Sequence, residues 1–173
     1  SSAASDVYKR QGRSIELGEL MDDAGGGYSL VIGIYMTPWS VHQNRIPFSG
    51  TVVKKVHRES DRNASMLRAL LNLLFRLEPY SEGLDYLVEN ERCTTVIRGE
   101  GILGAVVQIA DKWIRRIVNR CGEGDRVEKG ETFGMIRMGS QCDLFLRIDG
   151  PFEITVRERD YVRAGSSILI RTI

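Results

Sequence analysis

Glu128-Lys129-Gly130-Glu131-Thr132-Phe133-Gly134-Met135-Ile136-Arg137-Met138-Gly139-Ser140 is the stretch on which the reading of this chain turns. Residues 128–131 read as a turn, 132–138 as a short apolar strand, and Gly139-Ser140 as a second turn. An apolar run this short, with glycines on both sides, suits a strand and is too brief for an ordinary helix. The turn recurs. Asp125-Arg126-Val127-Glu128-Lys129-Gly130 and Asp160-Tyr161-Val162-Arg163-Ala164-Gly165 each place Asp-x-Val-x-x-Gly before an apolar strand. That is a hairpin signature, the glycine supplying a positive φ that other residues resist.

Outward from this stretch the chain is mostly strand. Residues 28–36 (Tyr-Ser-Leu-Val-Ile-Gly-Ile-Tyr-Met), 51–56, 93–98, 102–110, 142–147 and 152–156 are β-branched or apolar runs bounded by turn residues, and 113–119 continues the pattern. From Tyr86 onward almost everything reads as β. The expected fold is therefore mainly β with one or two helices, arranged as a β-sandwich or flattened barrel.

A length of 173 residues gives one domain with room for a sizeable core. Residues 1–12 show no periodicity and read as a disordered leader outside the fold, leaving 13–173 as the domain. A net charge of +1 gives no argument for a nucleic-acid partner. Cys93, Cys121 and Cys142 are an odd set without a CxxC, which fits a reducing compartment better than a disulfide framework or a zinc site. Two histidines and no convergent acidic cluster give no metal site. No apolar run reaches the roughly 18 residues needed to span a bilayer.

Residues 61–77 read as the one strong helix, with Asp61 or Asn63 as cap and Pro79 beyond its end. Arg68, Asn72 and Arg76 recur every four residues on a narrow stripe, and apolar side chains cover the rest. That arc is wider than a surface helix needs. The helix is either buried, as core or as the interface of a homodimer, or it lies in a membrane surface. In the second case Leu67, Leu70, Leu71, Leu74 and Phe75 enter the lipid while the arginines reach phosphates. His42, taken on its own segment, reads as an ordinary loop histidine, and His57 has no evident role.

Four segments together resemble the phosphatidylserine decarboxylase family, in its shorter, archaeal-like branch. They are Met36-Thr37-Pro38-Trp39-Ser40-Val41-His42-Gln43-Asn44-Arg45-Ile46-Pro47-Phe48-Ser49-Gly50, Glu89-Asn90-Glu91-Arg92, Val106-Val107-Gln108-Ile109-Ala110 with Arg115-Arg116-Ile117, and the stretch from Gly124 to Ser140 with Asp143-Leu144-Phe145-Leu146 after it. Their joint order and spacing carry the likeness from about Tyr28 to the C-terminus. The Asp-x-Val-x-x-Gly turns are also similar to those of lipoyl- and biotinyl-type domains, which carry a modifiable lysine at a hairpin tip. Lys129 sits in such a turn but lacks the flanking Met-Lys-Met pattern.

The family resemblance implies that the Gly139–Ser140 bond breaks itself, with Ser140 as nucleophile and His42 as base, leaving a long chain ending at Gly139 and a short chain headed by a pyruvoyl group made from Ser140. That covalent cofactor takes up the substrate amine and acts as electron sink, so phosphatidylserine loses carbon dioxide to give phosphatidylethanolamine. Arg45, Arg115, Arg116 and Arg137 are candidates for the lipid phosphate or serine carboxylate. The implied station is peripheral, on the cytoplasmic face of the cell membrane. Two departures stand out. The family's orienting Asp, in a Pro-Ala-Asp-Gly-like segment, has no counterpart upstream of His42, where Asp22 and Asp23 are the nearest acids, and Ser40 stands where an Asp often precedes Val-His. Without an orienting carboxylate the histidine loses tautomer control, so self-processing is expected to be slow or absent.

Overall fold

The computed structural model describes residues 7–10, 13–16, 27–36, 42–61, 63–66, 86–111, 117–136, 140–157 and 160–173. Two antiparallel sheets dominate them. The larger uses β3 (Leu30–Met36), β5 (Gly50–Arg58), β6 (Arg92–Gly99), β7 (Ile102–Ala110), β9 (Arg126–Val127) and β11 (Ser140–Ile148), in the order β3-β11-β7-β6-β5-β9. The smaller is β4 (Gln43–Arg45), β10 (Thr132–Ile136) and β8 (Ile117–Asn119), with β10 central. Two hairpins complete the set: β1 (Val7–Arg10) with β2 (Arg13–Glu16), and β12 (Phe152–Ile154) with β13 (Ile170–Thr172).

Most of β7 and the Leu144–Leu146 stretch of β11 are apolar because both their faces are covered. Side chains alternate across a strand. Leu144 and Leu146 join Ile46, Phe133, Cys121 and Val127 in a core on the side of the smaller sheet. Phe145, between them, packs on the other face with Tyr28, Met66 and Leu87. Leu87 belongs to a one-turn helix, α1 (Tyr86–Glu89), where the sequence pattern had suggested strand. The result is a sandwich, and not a closed barrel: among the described residues the larger sheet ends at β3 and β9, and the smaller at β4 and β8.

Four further sequence expectations change. The turn at Gly130 (φ 87°) is not a hairpin. β9 pairs with β5 whereas β10 pairs with β4 and β8, so the chain turns a corner from one sheet into the other. The cause is local: Gly130 N–H donates to the Ile46 carbonyl (2.8 Å), Ile46 N–H to the Glu131 carbonyl (2.8 Å), and Lys129 N–H to Ser49 Oγ (2.9 Å), so the groups that would close a hairpin are spent on the bend at 46–49. Ser140 is not in a turn: it is the first residue of β11, paired with Met36 on one side and Ala110 on the other. The leader expected over residues 1–12 contains β1, paired in register with β2 from Val7↔Glu16 to Arg10↔Arg13.

The fourth change concerns the helix expected from residue 61. Residues 63–66 are not helical. Their backbone is taken up elsewhere: Ala64 N–H donates to Asn90 Oδ1 (2.6 Å) and Met66 N–H to Asp111 Oδ1 (3.0 Å), while the Asn63 side chain receives Glu91 N–H (2.7 Å). A cap must turn its side chain back on its own helix, and Asn63 is committed to another segment. Residues 67–77, with Leu67, Leu70, Leu71, Leu74 and Phe75, lie outside the described residues. No helix among the described residues is long and apolar enough to cross a membrane.

Candidate active site

β11 is a central strand, so its first residue is fixed by hydrogen-bonded neighbours on both sides. Ser140 is fully buried. Its hydroxyl lies 4.0 Å from Met36 Sδ, a weak acceptor and the sole side-chain partner that the described residues give it. Met36, Ala110, Ile117, Ile136 and Cys93 form a small apolar cluster at this end of the sandwich. Among the described residues no side-chain donor engages its lone pairs.

His42 precedes β4, and its carbonyl accepts the N–H of Ile136, the last residue of β10 (3.1 Å). Three residues, 137–139, then lead to Ser140. The register thus carries His42 and Ser140 to the same end of the sandwich. His42 Nε2 is buried and has no hydrogen-bond partner among the described residues. Buried polar atoms are seldom left this way, and an orphaned one marks a candidate for catalytic work.

A line of amides runs inward from this end. Asn44 Nδ2 lies 3.9 Å from Met36 Sδ. Asn44 Oδ1 accepts from Gln108 Nε2 (2.8 Å), and Gln108 Oε1 accepts from Asn119 Nδ2 (2.9 Å), which also reaches Thr95 Oγ1 (2.8 Å). Gln108 is fully buried near the C-terminal end of β7, and Gly134 on β10 makes room for it. Reading the sequence did not assign Met36, Asn44, Gln108 or Asn119 to the site. The available signal was the single glutamine inside Ile-Leu-Gly-Ala-Val-Val-Gln-Ile-Ala, since a buried amide obliges the fold to supply partners.

Of the arginines put forward for substrate, Arg45 is placed away from Ser140. It pairs with Thr132 at the far end of β10, about 13 Å from Ile136 at the usual strand rise, and its guanidinium donates to the Gly130 carbonyl (2.9 Å). Arg115, Arg116, Arg137 and Gly139 lie outside the described residues. Asn90 and Glu91 are structural. Asn90 clamps residue 64 to the end of β7, its amide donating to the Ala64 (3.0 Å) and Ala110 (2.7 Å) carbonyls. Glu91 Oε1 receives Ile117 N–H (3.1 Å) and pairs with His57 Nε2 (3.0 Å), which gives His57 the role that the sequence had not suggested.

The two thiols nearest the amides stay protonated. Cys142 and Cys93 flank Gln108 in register on β11 and β6. Burial pushes Cys142 up to about 12, helped by the Asp143 carboxylate, and burial pushes Cys93 up to about 11. Neither is held as the reactive thiolate.

A two-sheet antiparallel domain with a buried serine at the head of an interior strand and an imidazole nitrogen without a partner among the described residues at the same end offers a candidate serine–histidine site. The chain belongs to the phosphatidylserine decarboxylase family, whose model matches residues 3–170. Among its relatives, a phosphatidylserine decarboxylase proenzyme of Oleidesulfovibrio alaskensis is 33% identical over 171 residues, 98% of this chain and 70% of the relative. Another of that name in Nitratidesulfovibrio vulgaris is 36% identical over 166 residues, 95% of this chain and 68% of the relative. A protein of Methanopyrus kandleri, named as a candidate archaetidylserine decarboxylase proenzyme, is 32% identical over 169 residues, 92% and 68% of the two chains. No solved structure matches.

Proposed function

We propose that this chain cleaves itself at Gly139–Ser140 and then decarboxylates phosphatidylserine to phosphatidylethanolamine at the membrane surface. The observation that carries the reading is that, among the described residues, the buried Ser140 hydroxyl meets only the Met36 thioether and the buried His42 Nε2 meets no hydrogen-bond partner, both at one end of the sandwich. Family membership and the proenzyme names of the relatives support it.

In the first step His42 Nε2 takes the proton from Ser140 Oγ. Oγ bonds to the Gly139 carbonyl carbon, the Gly139–Ser140 C–N bond breaks, and the proton passes to the released nitrogen. The chain is then joined through an ester. Loss of the Ser140 α-proton expels Gly139 as a carboxylate, and one water in with one ammonia out leaves a pyruvoyl group at residue 140. The residues fit that group: it is made where Ser140 already sits, fully buried beside an apolar cluster and, among the described residues, with no charged side chain bonded to the hydroxyl. When formed, the pyruvoyl supplies an electron sink for the substrate amine. The chain's own part is to exclude water through Met36, Ala110 and Ile136 and to hold a proton on His42 for return to the decarboxylated carbon. The apolar arc Leu67, Leu70, Leu71, Leu74 and Phe75 is the proposed lipid contact, on the cytoplasmic face of the membrane.

Intact mass under denaturing conditions tests the reading, for the wild type and Ser140→Ala. Two species in the wild type, the short one of roughly 4 kDa at about 110 Da per residue and about 17 Da light, with one species near 19.5 kDa in the variant, support it. A single uncleaved species in both, with no carbon dioxide from phosphatidylserine or archaetidylserine vesicles, overturns it in favour of an unprocessed lipid-binding homologue.

A further inference from the structure

The amide line has a direction, and that direction is set at the end remote from Ser140. Asn119 Oδ1 accepts the backbone N–H of Cys121 (3.1 Å). A backbone N–H can only donate, so this oxygen is an acceptor and the other arm of Asn119 must be its NH2. That NH2 faces Gln108 Oε1, which turns Gln108 Nε2 toward Asn44 Oδ1, which in turn leaves Asn44 Nδ2 facing Met36. One main-chain donor therefore fixes three side-chain amides and delivers an N–H to the sulfur that also receives the Ser140 hydroxyl. The far end is held firmly: Lys55 Nζ donates to the Asn119 (3.0 Å) and Cys121 (2.7 Å) carbonyls.

We infer that Asn44, Gln108 and Asn119 are positioning residues for Ser140, acting through Met36. Methionine is the most adaptable apolar side chain and by itself specifies its rotamer poorly. An N–H aimed at its sulfur holds Sδ beside the Ser140 hydroxyl and denies the hydroxyl any strong acceptor along this line. The inference rests on the proposed self-cleavage. Reversing the line would present Asn44 Oδ1, a strong acceptor, next to Sδ. It would repel the sulfur lone pairs and draw the Ser140 proton away from His42.

Gln108→Glu tests this, because a carboxyl keeps the shape and makes polarity depend on pH. Protonated, the introduced carboxyl still donates to Asn44 and the line runs as before. Ionised, it accepts from both neighbours and forces the Asn44 amide over. Release of the short fragment is followed after a pulse of cell-free synthesis of the full chain, from about pH 5 to pH 8, and read as the ratio of variant to wild type. The expected ratio is near one at the acid end and a tenth or less at the alkaline end, and Met36→Leu in both chains abolishes the pH dependence. Asn44→Asp applies the same logic one residue nearer and serves if Gln108→Glu does not fold. A ratio that is flat with pH while the wild type cleaves overturns the positioning role and leaves the proposed function standing. A wild type that yields no fragment at any pH overturns both.

Discussion

Gly134 stands where any side chain would strike Gln108. A Cβ at Gly134 would lie 2.7 Å from Gln108 Nε2 and 2.5 Å from the Val118 carbonyl oxygen. The carbonyl belongs to the β-ladder and cannot withdraw, so Gln108 or the strand must shift. Gly134→Ala should cost about 1–3 kcal/mol as overpacking and slow fragment release, both visible in a urea titration run beside a cleavage time course. Unchanged stability would show that the smaller sheet is looser than the packing implies.

Asn90 makes three hydrogen bonds that join residue 64, the end of β7 and its own loop. Asn90→Ala leaves the Ala110 carbonyl and two groups of Ala64 without that partner. A loss of about 2–4 kcal/mol is expected from denaturant unfolding, each net bond being worth about 1 kcal/mol with a further cost for buried unpaired groups.

Glu91 and His57 form an unequal pair. His57 is about a third exposed, at 35%, whereas Glu91 is buried at 9%. His57→Ala should cost less than about 1 kcal/mol, since solvent screens the pair. Glu91→Ala also strips Ile117 N–H of its acceptor and should cost about 2–3 kcal/mol. Equal losses in thermal unfolding would contradict this division.

The thiols give a pH prediction with a definite sign. Cys93 and Cys142 are raised from 9.0 in the folded chain, to about 11 and about 12. The unfolded chain therefore gives up these protons first, and the stability they contribute is full below pH 9 and lost as pH rises toward 11–12. Alkaline unfolding should be milder in Cys93→Ala, and iodoacetamide at pH 8.5 should label neither thiol until the protein is denatured.

Much of the sheet was legible because β3, β5, β6, β7 and β11 are segments rich in β-branched or other apolar residues bounded by turn residues, and period and composition report strands wherever burial is extensive. The corner at Gly130 was not. Its residues match a hairpin turn, and what makes it a corner is the bend at 46–49, more than 80 positions away in sequence, which takes its hydrogen bonds. The helix start at residue 61 failed for a similar reason: Asn63 is a good cap by type, but its oxygen is engaged by Glu91 N–H. His42 and Ser140 were found through the family motifs and not from periodicity. The amides behind them were hidden because Asn44, Gln108 and Asn119 come from three strands of both sheets, and no local pattern records that meeting.

Ser140 opens a strand that is paired on both flanks from Ser140 to Leu146, against Met36 to Leu30 on one side and Ala110 to Gly104 on the other, the second pairing running on to Ile102. Cutting the backbone just before it would therefore not release a peptide. The second piece would stay zipped into the larger sheet between β3 and β7 as a separate polypeptide. Once unfolded, such a molecule could be rebuilt only by the meeting of two chains, at a rate set by concentration. Assembly of the sandwich has to come before the cut, and heat or denaturant applied after it should be far harder to reverse than the same treatment of Ser140→Ala.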